Sequence, residues 1–410
     1  MSARLHLTPM CGRALIPTSQ SHGSIPMASF TVDILVPVWN RPVETRTCLV
    51  SLVESAPEAR LVLIDNGSDR ETERLLEEFA ERLGDRALLI RNDTTRGFVP
   101  AVNRGLSRAE APFVVIVRNT TVVAPGWLEP LVELATARPE AGLVIPLLAQ
   151  ETGTPRRGRV KPAATVTEIS HGSFAAMLIR RSLFERLGGF DEELDGDLWC
   201  LRDYSRRALA GGCLTLAAEG VPVVFRDEVL LGSPARRQEL VGASAARVEA
   251  RWGREASFLV YFPADADPEV VRTRFGVLLR AARMGHRVTV AIGCKLRRAV
   301  SAAGLGSLHR SIVVEELPRF FVPSALRRVA ERYAAEGSDP VCVAGIDGID
   351  LPGGMSFRPF AWFEGEVGAS EEVLYRRDGE GNPVTAPADC VTVMLSEAAR
   401  QGDEREEVAQ

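Results

Sequence analysis

TVDILVPVWNRP (residues 31–42) and RLVLIDNGSD (residues 60–69) decide the architecture of this chain. Each carries a mostly apolar run, ILVPV and LVLI, and each ends in turn-forming and polar residues. Such runs read as strands buried on both faces, as a parallel sheet requires. Between them, residues 43–55 place Leu49, Leu52 and Val53 at helical spacing. Strand, helix, strand is a βαβ unit, and the pattern continues. A helix is expected over about 70–83, with Leu75, Leu76 and Phe79 on one face. Residues 87–91 read as a third strand, 98–109 as a helix and 113–117 (FVVIV) as a fourth strand. The expectation is an α/β domain with a mostly parallel sheet flanked by helices.

Further on, residues 150–165 are polar, basic and rich in Pro and Gly, hence a loop. An apolar stretch at 173–180 precedes a helix at 181–187, ended by Gly188-Gly189. Another helix is expected at 199–210, ended by Gly211-Gly212, and one or two strands at 214–225. A second β/α series then starts. Strands are expected at 258–262, 287–293, 311–315 and 340–346, with helices at 268–284, 295–303 and 323–336. That describes a smaller Rossmann-like α/β domain. The chain therefore divides into a disordered leader (1–26), a first domain (27–235), a helical linker (236–256), a second domain (257–365) and a tail (366–410). The tail offers one strand candidate, Val391–Leu395.

Composition narrows the classes. The 410 residues are 46% hydrophobic and 25% charged, which is ordinary for a globular protein and excludes wholesale disorder. A net charge of -5 excludes a basic field over the whole chain for nucleic acid. No apolar run reaches the roughly 18 residues a bilayer span needs. Seven cysteines, with no C-x-x-C pair, point to a reducing compartment without a disulfide framework or zinc cage. A cytoplasmic location, with peripheral contact at the inner face of a membrane as an option, follows as the expectation.

Open α/β sheets bind ligands beyond the carboxyl ends of their strands. Those ends carry Pro37-Val38-Trp39-Asn40-Arg41, Asp65-Asn66-Gly67-Ser68-Asp69, Arg96-Gly97-Phe98 with Asn103-Arg104-Gly105, and Arg118-Asn119-Thr120-Thr121. A carboxylate such as Asp65 can accept from a base N–H or a ribose hydroxyl. No glycine-rich phosphate loop follows the first strand, which speaks against a dinucleotide or P-loop site.

The ordered segments ILVPVWNRP, LVLIDNGSD, GFVPAVNRGL, VRNTTVVAPGWLEPL and SFAAMLIRRSLFERLGGFDEEL resemble a family 2 glycosyltransferase of GT-A fold over about residues 31–227. The resemblance implies a nucleotide-sugar donor, with Pro37, Asn40, Asp65 and Ser68 holding base and ribose. It implies that Gly97, Asn103 and Arg104 frame the donor, and that the segment ahead of Gly188-Gly189-Phe190-Asp191 shapes the sugar and acceptor pocket. The catalytic positions depart from that pattern. Where the family has an Asp-x-Asp-like motif that holds Mg²⁺ or Mn²⁺, this chain has Arg118, Asn119 and Thr120. Where the family has an acidic pair that supplies the acceptor-side base, it has Cys200 and Leu201, followed by Asp203 and Arg207. Where many members have a His metal ligand, it has Phe225 and Arg226.

Two readings follow. In the first, the chain transfers a sugar from a nucleotide diphosphate to a saccharide, lipid-linked or protein acceptor, with no divalent metal. Arg118 serves as the in-built cation, and Asp195, Asp197 or Asp203 as the base. In the second, a catalytically silent GT-A domain binds a nucleotide, a glycan or a partner protein as a scaffold. His171 reads either as an acceptor contact or as a hydrogen-bonded structural residue. Asp265-Ala-Asp267, directly before Pro268, reads as a helix N-cap rather than a metal motif. Arg156-Arg157-Arg159-Lys161 reads as a solvated loop or as a docking point for an acidic partner.

Overall fold

The structure, a computed structural model, describes residues 30–147, 166–194, 198–225, 234–335, 339–348 and 354–375. The leader, Asp195, Asp197, the basic cluster at 156–161 and the strand candidate Val391–Leu395 lie outside the described residues.

The first domain opens with the expected alternation. It runs β1 (Val32–Val38), α1 (Pro42–Ser55), β2 (Arg60–Asn66), α2 (Arg70–Leu83), β3 (Ala87–Asn92), α3 (Phe98–Leu106) and β4 (Phe113–Val117). All seven residues of β1 are buried, as a strand inside a parallel sheet must be, and its one charged residue, Asp33, is paired with Arg60 at 2.8 Å. There follow β5 (Thr121–Val123), α4 (Glu129–Ala137), β6 (Ala141–Pro146), β7 (Val166–Glu168) and β8 (Ala176–Arg180). The domain ends with α5 (Arg181–Leu187), α6 (Leu198–Ala210), β9 (Leu214–Ala218) and β10 (Val223–Phe225). The main sheet has the order β3-β2-β1-β4-β8-β6-β9-β7. Strand β8 runs antiparallel between β4 and β6. The β1 to β4 half is parallel, with Val38 opposite Asp65 and Asn66 opposite Asn92. That register sets the polar residues after the strands side by side at one edge.

Helix α7 (Pro234–Trp252) leads to the second domain. Its strands β11 (Ser257–Phe262), β12 (Arg287–Gly293), β13 (Ile312–Leu317) and β14 (Val341–Ala344) alternate with α8 (Pro268–Arg283), α9 (Arg297–Ala302) and α10 (Val322–Ala335). They form a parallel sheet of order β13-β12-β11-β14. Asp267 caps α8 by accepting from the Glu269 N–H at 2.9 Å, so the Asp-x-Asp there is a helix start. Helix α11 (Phe360–Tyr375) runs straight through the expected boundary at 365. Phe360, Phe363 and Val367 lie in the core of the second domain, and Leu374 in that of the first. One helix thus packs into both cores.

The two domains also share a seam of hydrogen bonds. Glu168 of β7 forms an isolated parallel bridge with His309. Its N–H donates to Leu308 O at 3.1 Å, and its carbonyl accepts from Arg310 N–H at 2.8 Å. The Glu168 carboxylate, 2% exposed, receives two bonds from the Arg283 guanidinium, at 2.7 and 2.6 Å.

Two histidines lie buried near this seam. His286 Nδ1 accepts from the Ala256 N–H at 3.0 Å, which leaves Nε2–H to donate to Ser370 Oγ. Burial, then the Arg206 charge, pushes its pKa down to about 4. Burial, then the charges of Arg283, Arg206 and His171, pushes His309 down to about 3. The unfolded chain takes up these protons below about pH 6.5 while the folded one does not. Stability is therefore complete above that pH and falls as the pH falls toward 4. The loss reaches about 1.4 kcal/mol per pH unit for each His. The thermal midpoint should drop between neutral and mildly acidic pH, and His286→Gln should make that slope shallower. An unchanged slope would contradict the neutral buried assignment.

Candidate active site

The carboxyl ends of β1 and β2 are laced together by side chains. Asn40 and Arg41 follow β1 with φ of 55° and 61°, in the left-handed region. Asn adopts that region more readily than most residues, but two in succession need support. The support comes from the β2 loop. Asn40 N–H donates to Ser68 Oγ at 3.1 Å, and Asn40 Oδ1 accepts from Asp69 N–H at 2.8 Å. The Ser68 hydroxyl donates to Val38 O at 3.4 Å, and its N–H donates to Asp65 Oδ1 at 2.9 Å. Pro37, Asn40, Asp65 and Ser68 are therefore brought together, with Pro37 buried within β1. Asp65, 4% exposed, spends one oxygen on this turn.

The next loop closes on the same edge through Asn66, Arg96 and Gly97 of the expected strand ends, and through Asn92, which the sequence reading did not single out. Asn66 Nδ2 donates to Gly97 O at 3.0 Å, and Asn66 Oδ1 accepts from Asn92 Nδ2 at 2.9 Å and from Arg96 N–H at 3.2 Å. At Gly67, φ is 74°, and a Cβ would lie 2.6 Å from the Thr94 carbonyl carbon, so the two loops touch where a side chain cannot fit. The signal for Asn92 in sequence was only an Asn at the end of a strand, which turn propensity also explains.

Asn103 and Arg104 diverge from the surface of α3. Arg104 donates to Arg91 O at 2.8 Å and to Asn92 Oδ1, and so braces the β3 end. Asn103 faces the other way. It donates to Phe190 O and Glu192 Oε1, both at 2.9 Å, and accepts from Phe190 N–H at 2.8 Å. Of the three framing residues, Gly97 (φ 98°) joins the loop edge, whereas Asn103 clamps the Gly-Gly-Phe-Asp segment.

At the end of β4, Arg118, Asn119 and Thr120 are 8%, 6% and 6% exposed, and none is a carboxylate. Asn119 donates to Thr45 on α1 at 2.9 Å. The Thr120 hydroxyl has no hydrogen-bond partner among the described residues. The Arg118 guanidinium lies over the Phe98 ring at 4.5 Å, just after Gly97. From Phe98 an aromatic series continues through Phe174 (4.9 Å), Phe190 (5.3 Å) and Tyr204 (4.3 Å), where Arg207 covers the last ring at 4.7 Å. This row of rings joins the β4 end to α6.

The acidic residues on the acceptor side are held by arginines. Asp203 is 0% exposed; it accepts from Arg207 Nε at 2.9 Å, Arg251 Nη1 at 2.6 Å and Trp252 Nε1 at 2.9 Å. A base must present a lone pair to the acceptor hydroxyl. Asp203 instead spends both oxygens inward, so its placement is that of a structural carboxylate. Arg251 also bonds Asp191 at 2.8 Å, and Arg247 bonds Glu193 at 2.6 Å. Burial alone would raise the Asp191 pKa, but the Glu193 N–H and Arg251 together hold it below the ordinary value. The segment expected to be a linker is thus a clamp on the Gly-Gly-Phe-Asp loop. His171 shares a hydrogen bond between Nδ1 and Gly172 O at 2.9 Å, and burial lowers its pKa. Among the described residues, no three His, Cys, Asp or Glu side chains cluster in a way that could hold a metal ion.

Residues 33–188 match the family described as glycosyl transferase family 2. The O-antigen biosynthesis protein RfbC of Myxococcus xanthus is 30% identical over 190 residues, covering 39% of this chain and 14% of that protein. A PGL/p-HBAD biosynthesis glycosyltransferase of Mycobacterium tuberculosis is 34% identical over 90 residues, covering 22% of this chain and 35% of that one. The chain thus spans only a minor part of the length of these relatives. Among solved structures, a mannosyltransferase from Pyrobaculum calidifontis in complex with GDP-Man and Mn²⁺ is 17% identical. It covers 91% of this chain and 88% of its own, with a TM-score of 0.45. GalNAc-T7 with UDP, GalNAc and Mn²⁺ is 17% identical over 54% of this chain and 48% of its own, with a TM-score of 0.42.

Proposed function

We propose that the chain, whose residues 33–188 match glycosyl transferase family 2, transfers a sugar from a nucleotide-diphosphate donor without a divalent metal. The observation that carries this reading is the laced edge of β1 and β2, where Asn40, Asp65 and Ser68 hold one another in a fixed arrangement. A preformed polar edge beyond parallel strands suits a base and ribose. The acceptor is a saccharide, lipid-linked or protein hydroxyl, met in the cytoplasm with peripheral contact at a membrane.

In this proposal Arg118 supplies the positive charge for the diphosphate. Stacking on Phe98 fixes its plane, and a planar fork pairs with phosphate oxygens at two points. Because it is only 8% exposed, it would meet the phosphates at one edge of the guanidinium. Asn103 and Arg251 act by position, fixing the Gly-Gly-Phe-Asp loop that faces the sugar. Asp195 and Asp197, both outside the described residues, are the other candidate bases from the sequence.

Three readouts test the proposal. Chelation by EDTA should leave donor hydrolysis unchanged, whereas Arg118→Ala should lower it by about a hundredfold or more, as for loss of a group that stabilises developing charge. Asp65→Ala should lose nucleotide affinity without loss of fold. Turnover that depends on Mn²⁺ would overturn the role of Arg118. A protein that binds nucleotide but hydrolyses no donor would favour the silent scaffold, which the absence of carboxylates at Arg118-Asn119-Thr120 supports.

A further inference from the structure

The loop between β13 and α10, residues 318–321, breaks two local rules at once. Phe321 is the residue from which α10 starts, with its carbonyl accepting from Ala325 N–H at 3.0 Å. That position favours Ser, Thr, Asp, Asn or Gly, whose side chains or flexibility serve the helix end. Phe321 moreover has a φ of 60°, a conformation bulky residues avoid. The only other non-glycine residues with positive φ among the described ones are Asn40 and Arg41, at the candidate donor edge. Nothing in the domain core compensates, because the Phe320 and Phe321 rings are 69% and 82% exposed. Those are the two most exposed aromatic rings among the exposed large hydrophobic residues.

The surroundings are basic. Arg319 lies against the Phe320 ring at 5.6 Å. Arg327 and Arg328 stand exposed on the first turns of α10, against one exposed acid, Glu331, a turn later. We propose that this tip is a membrane-insertion loop, with Phe320 and Phe321 entering the headgroup boundary of an anionic bilayer and Arg319, Arg327 and Arg328 meeting lipid phosphates. Aromatic rings favour that boundary, and arginines a few residues away gain from the negative surface potential. The area favours lipid over protein as the occupant. Two Phe rings bury about 300–500 Å² together, well under the roughly 800 Å² per partner that a stable protein interface needs.

The inference deepens the proposed peripheral membrane contact but does not depend on donor chemistry. The full chain, without nucleotide, is sedimented with vesicles of phosphatidylcholine alone or with phosphatidylglycerol added. Binding is expected to the anionic vesicles, weakened by salt. Phe320→Ser with Phe321→Gly should reduce it about tenfold or more, since membrane affinity scales with inserted apolar area. Arg327→Glu with Arg328→Glu should remove the preference for anionic lipid. Both pairs are exposed, and thermal midpoints check that the variants fold. Failure of the wild type to bind any vesicle, or unchanged binding by the double Phe variant, would overturn the proposal. So would self-association in sedimentation velocity that the Phe variant abolishes, with no vesicle binding, which would assign the rings to a second copy. Nucleotide titration without vesicles reads the donor site separately, so the two proposals fail independently.

Discussion

Asp203→Ala is expected to destabilise the protein by about 3–5 kcal/mol, because removing one partner of a buried ion pair leaves the other uncompensated. Asp203 is fully buried and receives three donors from two helices, with Arg251 and Trp252 coming from α7. Its loss removes the carboxylate that ties α6 to α7 and leaves the buried Trp252 Nε1–H without its acceptor, while Arg251 keeps Asp191. The thermal midpoint should fall by about 10 °C, on the usual scale of 2–4 °C per kcal/mol. Asp203→Asn keeps the shape and one acceptor oxygen, so a smaller drop is expected from it. A catalytic base would behave differently, with turnover lost and the midpoint unmoved. That second pattern would return Asp203 to the chemistry of the site.

Glu168→Gln should be as severe for the joint between the domains. Glu168 and Arg283 are 2% and 7% exposed and share two short hydrogen bonds. An amide can accept one of them but presents N–H to the other donor, and the Arg283 charge stays buried without its counterion. A loss of about 3–5 kcal/mol is expected. The seam also contains backbone bonds from β7 to residues 308–310, so the domains should loosen together with the pair. Glu168→Leu combined with Arg283→Met should recover much of the loss, since apolar groups of similar volume remove both charges at once. If the single variant unfolds at the wild-type temperature, the seam does not hold the domains as described. If the double variant is as weak as the single one, the shape of the pair matters more than its charge.

The parallel half of the first sheet was legible because unbroken apolar runs and helical spacing repeat from residue 32 to 117. Strands β5 and β7 were not, since three residues carry no measurable period. Helix α7 covers the expected linker at 236–256 as far as Trp252, and its role as a clamp was not legible. Its arginines looked like a solvated face, and only the tertiary structure sets Arg247 and Arg251 against Glu193, Asp191 and Asp203. Helix α11 extends across the expected boundary at 365, and the Gly and Glu residues at its centre, 364–368, hide its helical spacing. Val367 and Leu374 are buried by neighbours distant in sequence. At the site, Asn40, Asp65 and Ser68 stood out as polar residues after strands, and they meet. Asn103 and Arg104 are adjacent in sequence yet serve two different loops, because successive helix residues point about 100° apart.

The central claim is that the edge of β1 and β2 binds a nucleotide diphosphate without metal. Calorimetric titration of the full chain with UDP, GDP, CDP and TDP, each with and without Mn²⁺, tests it most directly. The account predicts that one of the four binds, with the same affinity whether or not Mn²⁺ is present, and that Asp65→Ala removes that heat. Binding of none of them, or binding only with Mn²⁺, would contradict it.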